Sequence, residues 1–194
     1  MGKLTADKAA TWEKPMKSIH IICIGDEFLE GVAQEMTLEW LSGELSVMGG
    51  TVERAAIIRN EANSIVREIR HALLSAVRIL ITVGGLGATQ KDVTLSAVAK
   101  ATHRQIELNK HALKLIDDRL GGHGTTDYSR EQSAEMARFP EGAAPIPNPS
   151  GIAPALVMRS GSTAIMCLPG TQGELHALFR GPLQPVLREI FQEE

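Results

Sequence analysis

Cysteine is scarce in this 194-residue chain: only Cys23 and Cys167 occur, with no C-x-x-C spacing. That argues against a zinc site and against a disulfide scaffold. Both sit inside apolar stretches, where unpaired cysteines usually lie buried, and a reducing, cytoplasmic setting follows. An excess of positive charge is also missing. The formal net charge is -3, so there is no basic footprint for nucleic acid. No apolar run approaches the roughly 20 residues of a membrane-spanning helix, so a membrane partner is not expected. The six histidines are scattered without a ligand-spaced pair. His123, set among glycines, is the one that a mobile loop could carry to a ligand. Neither the Gly-Lys-Ser/Thr ending of a P-loop nor the glycine spacing of a dinucleotide fingerprint is present. Internal repeats and domain linkers are lacking too. With 43% hydrophobic residues, the chain can bury one full core without splitting. Residues 1–17 are charged and polar, without the apolar centre of a secretion signal, and read as a loose tail or an added helix. Residues 18–194 read as one domain.

What is present is a glycine-rich turn after an apolar run. Leu80-Ile81-Thr82-Val83 reads as a buried strand and empties into Gly84-Gly85-Leu86-Gly87. Thr89, Lys91, Asp92 and Thr94 then stand at the mouth of a helix. Glycines let the backbone turn sharply and bring its N–H groups close to a ligand, and the positive end of the next helix favours an anion. Asp92 is out of place beside a phosphate unless a cation lies between them. The alternative is a plain strand-to-helix turn in which Asp92 favours the helix N-terminus.

Two further turns follow apolar runs in the same way. The strand-like segment 18–24 stops at Gly25-Asp26-Glu27-Phe28-Leu29-Glu30-Gly31, and 163–168 stops at Pro169-Gly170-Thr171-Gln172-Gly173-Glu174. In an open parallel sheet the loops after strand carboxyl ends share one edge, and ligands bind there. Asp26 and Glu27 would then lie on the edge that carries Asp92. Such carboxylates could hold Mg²⁺ or a similar hard cation, while simple capping and solvation remain the alternative. Upstream, Asn148-Pro149-Ser150-Gly151-Ile152-Ala153-Pro154 is a rigid, turn-rich loop, either functional or a crossover.

Periodicity supplies the frame. Apolar residues at helical spacing predict helices over 32–48 and 62–76, and strands over 51–58 and 78–83 alternate with them. Helices over 94–101 and about 109–120 come next, and Ser129 caps another. Residues 157–158 and 165–166 have hairpin spacing, adding an antiparallel edge. Repeated strand–helix–strand units imply a mainly parallel sheet with helices on both faces, a three-layer α/β domain.

Taken together, these motifs resemble the molybdopterin-binding domain family, the MoaB/Mog fold, and within it the N-terminal domain of competence/damage-inducible CinA-like proteins. Residues 25–31 match the family's Gly-Asp-Glu-Leu-Leu-x-Gly, and residues 83–94 match its Thr-Gly-Gly-Leu-Gly-Pro-Thr-x-x-Asp-x-Thr. Residues 148–154 match Asn-Pro-x-Gly-x-Ala-Pro, and 168–174 match Leu-Pro-Gly-x-x-x-Glu. The chain departs at Val83, Ala88 and Lys91, and Asn60 falls where the family commonly has Asp.

The resemblance implies a phosphorylated pterin or nucleotide as ligand and a homo-oligomer as the assembly. Its ligand contacts would be Gly25, Gly84, Gly85, Leu86, Gly87, Thr89, Thr94, Asn148, Pro169, Gly170 and Glu174. Asp92, Asp26 and Glu27 would be the catalytic carboxylates and would hold a divalent metal. Two reactions are implied: nucleotide pyrophosphatase chemistry such as ADP-ribose hydrolysis, or adenylylation of molybdopterin. A non-catalytic molybdopterin-binding module is the third reading.

Overall fold

The computed structural model describes residues 17–30, 36–123 and 128–192. The expected α/β architecture is present. A six-stranded sheet runs in the order β2-β1-β3-β8-β7-β6. β1 (Ser18–Ile24), β2 (Thr51–Ile58), β3 (Ile79–Val83) and β8 (Thr163–Leu168) are parallel, β7 (Ala155–Ser160) is antiparallel to β8, and β6 (Ala144–Ile146) at the edge is antiparallel to β7.

Every residue of β1, β3 and β8 is buried, as strands covered on both faces must be. Their side chains alternate between two cores. Ile22, Ile24, Leu80, Ile165 and Cys167 join one cluster, beneath α3 (Ala62–Leu74), α4 (Thr94–Thr102), α5 (Lys110–His123) and α6 (Arg130–Met136). Ile19, Ile21, Ile79, Ile81, Met166 and Leu168 join the other, beneath α2 (Met36–Val47), α7 (Gln172–Arg180) and α8 (Leu183–Gln192). The period of two along each strand thus makes three layers from one sheet. No helix among the described residues is long and apolar enough to cross a membrane.

Local chemistry explains several boundaries. α6 opens with a complete capping box, Ser129 accepting from the Gln132 N–H while the Gln132 side chain accepts from the Ser129 N–H,. The β7–β8 hairpin turns at Gly161, whose φ of 57° is left-handed,. α2 is described only from Met36, so the start expected near residue 32 lies outside the described residues. Three short strands are absent from the expectation. β4 (Ile106–Leu108) and β5 (Arg138–Pro140) form a small antiparallel sheet, and β6 borders the main one. Three residues are too few to display a period of two. Pro145 within β6 also argues against a strand in the sequence, and it is tolerated here because β6 is an edge,.

The register places the strand ends together. Cys23 pairs with Val83, and Val83 pairs with Leu168. The turns beginning at Gly25, Gly84 and Pro169 therefore leave the sheet from one edge. Beside β1, α1 (Asp26–Leu29) occupies a single turn.

Candidate functional site

The turn after β3 is built from glycines for two different reasons. Gly84 and Gly85 have φ of 107° and 69°, where side chains are disfavoured. A Cβ at Gly84 would stand 2.1 Å from the Ile24 carbonyl oxygen, so this glycine is required by the end of β1. Its N–H donates to the Leu168 carbonyl at 2.9 Å, which ties the turn to β8. A Cβ at Gly85 would stand 2.3 Å from Thr94 Oγ1. Thr94 is fully buried, and its hydroxyl donates to the Gly84 carbonyl at 2.9 Å. Expected as a ligand donor, that hydroxyl instead closes the turn. Among the described residues, nothing accepts from the N–H groups of Gly85, Leu86, Gly87 and Ala88.

Asp92 also works inside the turn. Its Oδ2 accepts from the Thr89 N–H at 2.9 Å and from the Thr89 hydroxyl at 2.6 Å. The Asp92 N–H returns a bond to the Thr89 carbonyl at 2.9 Å. Residues 89–92 thus form a closed turn held by a charge-assisted pair. A Cβ at Gly87 would stand 2.7 Å from Asp92 Oδ2, so glycine there admits the carboxylate. The Thr89 hydroxyl, like that of Thr94, has a partner within the loop.

The opposite wall is the loop after β6. Asn148 is 7% exposed and organises it. Its Oδ1 accepts from the N–H groups of Ser150 and Gly151 at 3.1 and 2.9 Å. Its Nδ2 donates to the Ala153 carbonyl at 3.0 Å and to Glu174 Oε2 at 2.7 Å. Glu174, in the first turn of α7, also accepts from the Thr171 hydroxyl at 2.7 Å through Oε1. From α5, Arg119 donates through Nε to the Gly151 carbonyl at 3.0 Å and through Nη2 to the Pro149 carbonyl.

These parts enclose a cleft of about 600 Å³, bounded by residues 84–87, 150–153 and 169–171 with Asp92, Glu174 and Arg119. Tyr128 and Met136 complete it. Gly170 approaches the turn so closely that a Cβ on it would lie 3.3 Å from Gly84 Cα. The volume suits a small molecule of nucleotide size. On the other side of the turn lies a hollow of about 400 Å³ edged by Glu131, Glu135 and Arg138. Only the larger cleft joins the glycine turn to the loops after β6 and β8.

Gly84, Gly85, Leu86, Gly87, Pro169, Gly170 and Glu174 therefore share one cleft with Asp92, while Asn148 supports it from behind. Gly25 and Asp26 are not among its lining residues. The Gly25 N–H is taken by the Ile58 carbonyl at 3.1 Å. Asp26 lies exposed and accepts from Arg59 Nη1 at 3.3 Å, an arginine that also reaches Glu30 at 3.7 Å. Asp26 thus stands at the same sheet edge as the glycine turn, paired with Arg59 and outside the lining of this cleft. The side chains of Glu27 and His123 lie outside those described. Among the described residues, no three His, Cys, Asp or Glu side chains gather as a metal site.

Arg119, Tyr128 and Met136 were not legible as site residues. Arg119 belongs to an ordinary amphipathic helix with no motif around it, and only the tertiary packing brings it to the cleft. Asn60 offers a subtler feature. Among the described residues its buried Oδ1 has no hydrogen-bond partner, and it lies 3.3 Å from where a Gly85 Cβ would stand. Both cysteines are buried and free. Burial pushes the Cys23 thiol up to about 11 and the Cys167 thiol up to about 12, so neither is a nucleophile at neutral pH.

Comparison with known proteins supports the fold and shows the family. A family described as a probable molybdopterin binding domain matches residues 20–189. A CinA-like protein from Myxococcus xanthus is 30% identical over 88% of this chain and 40% of its own length. Among solved structures, protein CinA from Thermoplasma acidophilum, described as of unknown function, superposes with a TM-score of 0.78 at 27% identity. It covers 88% of this chain and 98% of that one. A molybdopterin biosynthesis protein from Mycobacterium abscessus shares the fold, with a TM-score of 0.62 at 18% identity and coverage of 92% and 96%. The chain spans 62% to 65% of the length of curated relatives from Pyrobaculum and Aeropyrum.

Proposed function

The chain belongs to the molybdopterin-binding domain family, and from that premise we propose that its cleft binds a phosphorylated pterin or nucleotide and hydrolyses its phosphoanhydride. The observation that carries this reading is the run of four successive backbone N–H groups, residues 85–88, with no partner among the described residues. Three of these residues line the cleft, and the turn leads within a few residues to the N-terminus of α4. Such donors suit a phosphate, because they stabilise its charge without presenting side-chain bulk.

Within this reading, ADP-ribose represents the substrate class, and Asp92 is the carboxylate that orients the attacking water. Glu174 keeps the opposite wall in place through Asn148 and Thr171. A divalent ion would reduce charge on the phosphoanhydride. Among the described residues of the cleft, Asp92 is the carboxylate of the glycine turn that would face such an ion. Such an ion would enter with the nucleotide.

A non-catalytic binding module is favoured by one specific observation. The carboxylates of Asp92 and Glu174 are both hydrogen-bonded within the scaffold. Incubation of the pure protein with Mg²⁺ or Co²⁺ and ADP-ribose, and separately with ATP and molybdopterin, distinguishes the readings. Release of AMP from ADP-ribose is the expected result. Binding by calorimetry without turnover of either substrate would establish the binding module. Absence of both binding and turnover would overturn the proposal.

A further inference from the structure

The described lining of the cleft includes two carboxylates, Asp92 and Glu174, and a single positively charged side chain, Arg119. An anion that rests on the glycine turn alone would share the cleft with both carboxylates. Arg119 is the one formal charge there that opposes them. Its guanidinium carries five N–H donors in a rigid plane. Nε and Nη2 are directed at the carbonyls of Gly151 and Pro149. One edge of the fork is therefore fixed to the protein, and the remaining donors are held in a defined orientation beside the cleft. A half-buried guanidinium positioned this way loses little conformational freedom when it meets a ligand.

We propose that Arg119 is a second anion point of the cleft, so that the site prefers ligands with two linked phosphates over those with one. The first phosphate rests on the N–H groups of residues 85–88, and the second meets the free edge of the Arg119 guanidinium. This inference rests on the phosphate-binding reading above and adds to it the side chain that recognises the second phosphate. The carbonyl clamp explains why arginine is needed. A lysine ammonium is a point charge on a flexible stem, and it cannot bridge two loop carbonyls and an anion in one plane.

The test compares ADP with AMP by calorimetry on the full chain, for wild type, Arg119→Gln and Arg119→Lys. Wild type should favour ADP by about tenfold or more, the usual scale of one charge-assisted hydrogen bond. Arg119→Gln should remove that preference while AMP affinity changes less than about threefold. Arg119→Lys should keep part of the preference yet melt at lower temperature, because the carbonyl clamp is lost. In wild type, the preference should also shrink as salt is raised, a readout that needs no variant. Equal losses for ADP and AMP in Arg119→Gln would assign Arg119 to loop structure alone and overturn the inference. Wild type that binds both nucleotides equally would overturn it too, while leaving the phosphate-binding reading intact. Wild type that binds neither would overturn that reading and this inference with it.

Discussion

A glycine that served only a ligand could be replaced without harm to the fold, and the geometry at Gly85 predicts otherwise. At φ of 69°, a side chain brings left-handed strain of about 1–2 kcal/mol. The new Cβ would stand 2.3 Å from Thr94 Oγ1, and Thr94 is fully buried with no room to retreat. The hydroxyl must turn away from the Gly84 carbonyl, which leaves a buried acceptor without its donor at about 1–3 kcal/mol. Gly85→Ala should therefore destabilise the domain by about 2–5 kcal/mol, and Gly85→Val by more. Thr94→Ala deletes the same hydrogen bond and should cost about 1–3 kcal/mol. Because the bond can be lost only once, the double variant should fall short of the sum by about 1–3 kcal/mol. Urea unfolding followed by circular dichroism measures all three. An additive double variant would refute the steric argument and leave only backbone strain at Gly85.

Two further predictions concern charge. Asp92→Asn keeps an oxygen able to accept from both Thr89 donors and loses only the charge assistance, so stability should fall by about 1 kcal/mol or less. Turnover of ADP-ribose should drop at least about tenfold if the carboxylate orients water; full activity in Asp92→Asn would confine Asp92 to the turn. The cysteines give the domain a pH dependence with a definite sign. Burial holds Cys23 near 11 and Cys167 near 12, against an ordinary value of 9. Unfolded thiols ionise first, so stability contributed below pH 9 is lost as pH rises from 9 toward 11 and 12. Urea unfolding at pH 8 to 11 should show a shallower decline in Cys167→Ala than in wild type, and identical slopes would refute the burial argument.

Much of the site was readable because the turns follow apolar strands. Buried strands β1, β3 and β8 announce themselves as continuous apolar runs, and glycines at their ends mark where the backbone must turn. From that alone, the glycine turn and the Pro169 turn fall on one edge, and the register confirms it. The roles of individual side chains were less legible. Thr94, Thr89 and Asp92 are polar groups near an anion loop, and nothing in their spacing tells whether they face the ligand or each other. Their hydrogen bonds are local, yet they form only once the turn has its left-handed backbone.

The sequence by itself determined the alternation of strands and helices, the two-sided burial of the sheet and the positions of the turns. These follow from short-range periodicity and from the backbone freedom of glycine, both properties of neighbouring residues. Tertiary structure alone decided that Asp26 pairs with Arg59 and does not line the cleft that holds Asp92. It also decided that Asn148 links the loop after β6 to Glu174 on α7, and that Arg119 reaches the cleft from α5. Each of these contacts joins segments about 26 to 33 residues apart. Which long side chain finds which partner across such a distance depends on the packing of whole helices against the sheet, and no local pattern encodes it.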